Sequence, residues 1–396
     1  MLTSLALIFL VGLAMSAICK QIRLPGIIGM LATGIVLGPY VLDLLSPSIL
    51  GISADLRKLA LIIILLKAGL SLNLSDLKKV GRPAILMSFV PASFEICGYI
   101  LFAPMILGVT RVEAAVMGAV MGAVSPAVVV PRMVKLMEEG YGTKKGIPQM
   151  ILAGASCDDI FVIVLFTTFL QMAQGGHANA KDFINIPISI VLGIVLGCIV
   201  GYLLYRFFEL AYKKNHCVRN STKLIVILGM SCLLLAIEEW VSAYVAVSGL
   251  LAVVSMACML KVKSTTFVSK RLSEKFGKLW IAAEVILLVG AAVDIRYMAK
   301  AGAMALLMIG AALLFRAVGV CICMLGTKLT WKERLFCIIA YLPKATVQAA
   351  IGSVPLAAGL SCGTLVLSVA VMAIVITAPI GALSIDSTYK HLLEKE

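Results

Sequence analysis

The sequence predicts an all-α, polytopic membrane protein of thirteen transmembrane helices. Three observations carry this. Hydrophobic residues make up 61% of the 396 and charged residues only 14%, where a soluble domain carries about 25% charged residues. Apolar runs long enough to cross a bilayer recur along the whole chain and leave no room for a soluble domain. The basic residues then fall in alternate breaks between those runs.

Taken in order, the runs are about 3–19, 24–45, 55–73, 83–107, 112–134, 147–173, 183–208, 221–237, 241–260, 277–296, 299–326, 333–353 and 359–385. The first is as hydrophobic as a signal sequence but has no basic segment before it, so it is read as a spanning helix. Spans eight and nine are separated only by Glu238, Glu239 and Trp240. Loops after odd-numbered spans, with the tail, hold 24 basic residues against 6 on the opposite side. This places the N-terminus outside and the C-terminus in the cytoplasm. The net charge of +14 is this cytoplasmic excess and does not point to nucleic acid. The cytoplasmic basic groups near 213–219 and 261–278 read as ordinary positive-inside loops.

The 11 cysteines include no CxxC pair, and Cys97, Cys157, Cys198, Cys232 and Cys258 read as small buried hydrophobes rather than a disulfide or zinc framework. The histidines, His177, His216 and His391, fall in loops or the tail, which argues against a histidine relay in the membrane. No resident cofactor is expected.

Span six contains Asp158 and Asp159 inside a run that is otherwise apolar from Met150 to Phe169. A carboxylate at mid-bilayer costs about 2.5–3.5 kcal/mol on insertion scales, and repulsion adds to the cost of a pair. Such a pair needs a cavity, a counter-charge or a bound cation. Adjacent helical residues point about 100° apart, so one aspartate can be the main ion ligand while the other meets a neighbouring group. Cation and protons would compete for the pair, and competition with alternating access suffices for exchange.

Two spans are interrupted. Span five reads Ser125-Pro126 and span twelve reads Leu342-Pro343-Lys344-Ala345-Thr346-Val347-Gln348. Proline at mid-span frees backbone groups that must then face a cavity or protein. An odd offset of seven spans inverts orientation, so the two breaks suggest inverted repeats of spans 1–6 and 8–13 with span 7 between them. Ser125, Thr346 and Gln348 offer oxygens suited to Na⁺ or Li⁺ near the aspartates. Lys344 is placed to neutralise a carboxylate when no cation is bound. Glu95 and Arg316, opposite in sign and both mid-span, suggest an ion pair joining span four to span eleven. Lys67 and Glu284 read as structural. With Arg316 occupied by Glu95, Lys344 and the breaks at Pro126 and Pro343 are left as the neighbours of the aspartates.

The Asp158-Asp159 pair, the Ser125-Pro126 break and the Pro343-Lys344-Ala345-Thr346-Val347-Gln348 break resemble those of the cation/proton antiporters, in the NHA-type sodium/proton exchanger branch related to bacterial NhaA and NapA. Leu24-Pro25-Gly26 through Gly38-Pro39 and Lys67-Ala68-Gly69-Leu70 resemble that family's early helices. The resemblance implies an NhaA-like fold with crossing broken helices, and a homodimer in the plasma (inner) membrane. It implies a dimerisation domain of helices 1–3 and 8–10 (about 3–73 and 221–296) and an ion-transporting core of helices 4–6 and 11–13 (about 83–173 and 299–385). Helix 7 (about 183–208) would be the linker, and the core would carry the ion elevator-fashion. Asp159 resembles the principal ion and proton carboxylate and Asp158 the accessory one, while Glu95 and Arg316 match an intramembrane ion pair. Electrogenic NhaA-like exchangers carry a lysine on the span where this chain has Arg316, which leans toward electroneutral exchange here. Na⁺(Li⁺)/H⁺ exchange is therefore the expected function. K⁺/H⁺ exchange and Na⁺-coupled uptake of an organic solute are the alternatives on the same fold. An intramembrane di-aspartyl enzyme is disfavoured, because its carboxylates would come from two facing helices and no HExxH or GxSxG motif occurs.

Overall fold

The computed structural model describes residues 1–22, 24–71, 81–175, 180–215, 220–241, 247–263 and 295–396. In chain order these form α1 (Leu2–Gln21), α2 (Gly26–Leu37), α3 (Pro47–Gly51), α4 (Ser53–Ser71), α5 (Arg82–Met87), α6 (Val90–Leu107), α7 (Arg111–Met121), α8 (Pro126–Glu139), α9 (Ile147–Gln174) and α10 (Ala180–Asn215). Then come α11 (Asn220–Val241), α12 (Gly249–Lys263), α13 (Ile295–Cys323), α14 (Trp331–Ala340), α15 (Thr346–Ile351), α16 (Val354–Ala357) and α17 (Gly363–Leu392). Among the described residues the only β pairing is an isolated bridge between Tyr141 and Lys395.

Seven stretches of the described residues are long and apolar enough to cross a membrane: Leu2–Gln21, Arg82–Leu107, Ile147–Gln174, Val191–Ala211, Ser221–Val241, Gly302–Cys323 and Gly363–Leu392. Expected spans five and twelve fail that criterion for a physical reason. Each is split, into α7 with α8 and into α14 with α15, and no half alone is long enough. Most of expected span ten, with Glu284, lies outside the described residues. Glu238, Glu239 and Trp240, expected to separate spans eight and nine, instead form the last turn of α11.

The chain divides into two compact units. One comprises Leu56–Leu72 and Gly175–Glu284. There α10 presents Gly193, Gly197 and Gly201, four residues apart, to the α12 side; a Cβ on them would strike the backbone of Ser248, Ala252 and Met256. Small residues at that spacing let two apolar helices approach closely where lipid provides no hydrophobic drive. Gly69 of α4 meets Val254 and Ala257 of α12 in the same way.

The other unit comprises Met1–Asp55, Asn73–Gln174 and Val285–Glu396. In it α6 packs on α13, with Gly98 against Ala312 and Phe315, and Gly319 against Pro91 and Phe94. Helix α17 is buried along most of its length. Both broken spans begin with the same device. Thr110 caps α7 by accepting from Glu113 N–H while the Glu113 carboxylate accepts from Thr110 N–H, and Thr330 with Glu333 does the same for α14. A Thr-x-x-Glu box satisfies donors that a helix start leaves unpaired.

The loops sort into two groups. Gly142 N–H donates to the Glu394 carbonyl at 2.8 Å and Glu396 N–H to the Gly140 carbonyl at 2.8 Å. Lys145 meets Glu333 at 2.8 Å. The α8–α9 loop, the start of α14 and the tail thus share one face. Ser361, before α17, donates to Glu113 at the start of α7, so those two segments share another.

The cysteines differ from expectation. Cys97 and Cys232 are exposed, and Cys157, Cys198 and Cys258 are half-buried. In a membrane protein an apolar run packs equally well against lipid, so hydropathy cannot place a cysteine inside. His391 lies in the last turn of α17 rather than beyond a helix, and His177 and His216 lie outside the described residues.

Candidate functional site

The two breaks leave unpaired backbone groups, and the site is built from what satisfies them. Span five is non-helical from Gly122 to Ser125, and span twelve from Tyr341 to Ala345. The breaks meet directly: Ser125 N–H donates to the Pro343 carbonyl at 2.8 Å. Gln348 bridges them. Its Oε1 accepts from Ala345 N–H at 2.8 Å, and its Nε2 donates to the Ala123 carbonyl at 2.8 Å and the Met121 carbonyl at 3.3 Å. Gln348 therefore acts as a strut between the broken helices. Ser125 is fully buried, and its hydroxyl has no hydrogen-bond partner among the described residues. Thr346 opens α15, and its side chain lies outside the described residues. Pro126 starts α8 and Pro343 lies at the centre of the second break, packed against Gly381 of α17.

Arg316 of α13 is fully buried and serves four acceptors at once. Its Nε donates to the Tyr341 carbonyl at 2.7 Å. Its Nη1 donates to Glu95 Oε2 at 2.7 Å and to the Gly122 carbonyl. Its Nη2 donates to Asp158 Oδ2 at 3.1 Å. Gly122 and Tyr341 are where α7 and α14 end, so one guanidinium faces the negative ends of two helix dipoles and two carboxylates.

This changes the expected pairing. Glu95 and Arg316 form an ion pair. That pair does not exhaust Arg316, which also reaches Asp158. Lys344 is drawn to a different carboxylate from the one expected: its Nζ reaches Glu95 Oε2 at 2.5 Å. The reason is geometric. A planar guanidinium has donors pointing in several directions, and a single ammonium does not.

Each break has one backbone N–H held by a side chain from another helix. Asp158 Oδ2 accepts from Val124 N–H at 2.8 Å. Across the crossing, Thr377 Oγ1 accepts from Lys344 N–H at 2.9 Å and donates to the Ala373 carbonyl at 2.7 Å. Sequence reasoning missed Thr377, because a threonine in an apolar helix ordinarily satisfies itself on the turn before. It missed the two capping boxes as well, although Thr110-x-x-Glu113 and Thr330-x-x-Glu333 are readable motifs.

Asp158 is fully buried and Asp159 is 6% exposed. Asp158 Oδ1 is buried without a hydrogen-bond partner among the described residues. Lys67 is partly buried on α4. Outside the membrane-spanning part, the Glu333 carboxylate beside Lys145 holds that ammonium above the ordinary lysine range.

The chain matches the family model described as "Sodium/hydrogen exchanger, transmembrane" over residues 5–390. It is 34% identical to human sodium/hydrogen exchanger 9B2 over 357 residues, which is 87% of this chain and 65% of that protein. It is 30% identical to mouse sodium/hydrogen exchanger 9B1 over 390 residues, 94% of this chain and 66% of that one. The chain thus spans just under two thirds of the length of these relatives. Among solved structures, the sodium proton antiporter MjNhaP1 from Methanocaldococcus jannaschii at pH 8 superposes with a TM-score of 0.83. That match covers 99% of this chain and 98% of that one at 20% sequence identity, which is a likeness of fold.

Proposed function

The chain belongs to the transmembrane sodium/hydrogen exchanger family, and from that premise we propose that it exchanges Na⁺ or Li⁺ for H⁺ across a membrane, with Asp159 and Asp158 as the site for which they compete. The observation that carries this is a pair of buried carboxylates beside the crossing of the breaks. Asp158 is fully buried, with an Oδ1 that has no hydrogen-bond partner among the described residues, and Asp159 next to it is 6% exposed. A buried carboxylate oxygen left unpaired is costly. One alkali cation or one proton satisfies it, and the two exclude each other.

The roles follow from the contacts. Glu95 is clamped between Arg316 and Lys344. Asp158 is paired with Arg316 and accepts from Val124 N–H. The exchanged charge is assigned to Asp159, the more exposed of the two aspartates, with Asp158 Oδ1 and the Ser125 hydroxyl as further oxygen ligands. Oxygen donors suit a hard cation. A one-for-one swap is electroneutral.

Movement is assigned to the core, α5–α9 with α13–α17, as a body that carries the site between the two sides. Helices α1–α4, α11, α12 and the segment to 296 form the dimerisation domain, and α10 the linker. The two halves are inverted repeats, supported by the matched capping boxes and by the parallel placement of Asp158 and Thr377. The face that gathers Lys145, Glu333 and the tail joins segments that the basic-residue count puts in the cytoplasm, and this supports a cytoplasmic C-terminus.

The test is proton movement in vesicles driven by Na⁺, Li⁺ and K⁺ in turn. Na⁺ and Li⁺ are expected to drive it, and Asp159→Asn to abolish it. Wild-type rates in Asp159→Asn would remove Asp159 from its role. A response to K⁺ alone would replace the assignment with K⁺/H⁺ exchange. Movement only with an added organic solute would replace it with coupled uptake.

A further inference from the structure

Between the aspartates and the face that carries Lys145 and Glu333, the core is filled by apolar side chains. Met87 of α5, Met150, Ile151 and Ala155 of α9, and Phe336 of α14 belong to one cluster, and none is more than 4% exposed. Tyr341, at the end of α14, brings a hydroxyl into this cluster. The residue is fully buried, and the hydroxyl has no hydrogen-bond partner among the described residues. A Cβ built on Gly154 would collide with that oxygen. The hydroxyl therefore lies on the α9 backbone, one helical turn before Asp158.

Packing does not account for it. The Tyr341 carbonyl holds Arg316 Nε, and its ring lies 5.5 Å from the guanidinium carbon. A phenylalanine would supply both. A buried polar group left unpaired is a liability of the kind that native structures keep for a reason. The titratable groups facing Tyr341 are Asp158 from α9, Arg316 and Cys323 from α13, and Cys337 from its own helix.

We propose that the Tyr341 hydroxyl is a proton relay between the aspartate pair and the Lys145–Glu333 face. Water that enters the apolar cluster from that face gives the phenol oxygen a proton and takes another from the solvent on that face in its place, so no hydroxide is left behind. As that O–H bond forms, the original O–H bond breaks and its proton passes through water to the aspartate pair. The phenol ends as it began, one carboxylate becomes a carboxylic acid, and the alkali cation leaves. Nothing is oxidised or reduced. This rests on the exchange reading above.

Tyr341→Phe removes one oxygen and keeps the ring and the carbonyl. The full chain, reconstituted in vesicles, is measured for exchange rate against pH, for the Na⁺ concentration giving half the maximal rate, and for thermal stability. The expected result is a rate lower by about tenfold, less than the roughly 10²–10⁴-fold of a positioned general acid or base, because water on either side of the ring still carries part of the proton flux. The loss is expected to be greatest at alkaline pH, where protons are scarce, with unchanged Na⁺ half-saturation and stability equal to or above wild type. A wild-type rate and pH profile would overturn the relay. So would a rate loss matched by loss of Na⁺ affinity, which would make the hydroxyl a cation ligand, or by loss of stability, which would make it structural. Wild-type vesicles that exchange no alkali cation would instead overturn the exchange reading itself.

Discussion

Replacing Arg316 separates the two things it supplies, charge and a directional fork. Arg316→Met removes both. Asp158 would keep only Val124 N–H, and Glu95 only Lys344. Removing one partner of a buried ion pair costs about 3–5 kcal/mol, because the other charge stays behind unpaired. Arg316→Lys keeps the charge and has three donors for four acceptors, the carboxylates of Glu95 and Asp158 and the carbonyls of Gly122 and Tyr341. Side-chain hydrogen bonds between membrane helices average about 0.6 kcal/mol by double-mutant cycles. Losing one or two therefore costs about 1 kcal/mol. Thermal unfolding of the purified protein should rank wild type, then Arg316→Lys, then Arg316→Met, with the larger gap between the two variants. If Arg316→Lys is as unstable as Arg316→Met, geometry outweighs charge and the reasoning fails. If Arg316→Met is as stable as wild type, the charge cluster does not hold the breaks.

Thr377→Val leaves Lys344 N–H without its acceptor; a cost of about 1–3 kcal/mol is expected, against little change for Thr377→Ser, read by the same melts. Lys145→Ala should destabilise by an amount that does not vary between about pH 6 and 9. Lys145 is raised in the folded state by Glu333, so the bridge is fully present below the ordinary lysine pKa, about 10.4, and is lost only as pH rises through the folded value. A pH-dependent gap within the neutral range would contradict that. Gly154→Ala should destabilise, because its Cβ meets the Tyr341 hydroxyl and the Met87 side chain. Adding Tyr341→Phe should recover part of the loss, and strict additivity of the two changes would show that the contact is absent.

The breaks were legible because proline and polar residues in an apolar run have few innocent explanations, and Pro126 and Pro343 stand where the helices stop. The buried charges were legible for the same reason. Which charge meets which was not. Arg316 reaches both Glu95 and Asp158, and Lys344 turns to Glu95, through distances between residues up to 249 positions apart. Local patterning carries no such information. Gln348 was readable as an oxygen donor near the site, yet its amide is used in full to tie the two breaks together. Thr377 gave no signal, since nothing in its helix marks it out from a threonine bonded to its own turn. The cysteines failed for a reason particular to membranes: Cys97 is exposed on α6 although its neighbours in sequence are as apolar as a core.

The proposed one-for-one exchange is tested by proton movement in vesicles that hold an imposed membrane potential. On that proposal each cycle moves one Na⁺ against one H⁺ and no net charge. The rate of Na⁺-driven proton movement should be the same at either sign of potential and at none. A rate that rises with one polarity and falls with the other would mean that a second proton travels with the first, and that Asp158 takes up a proton alongside Asp159.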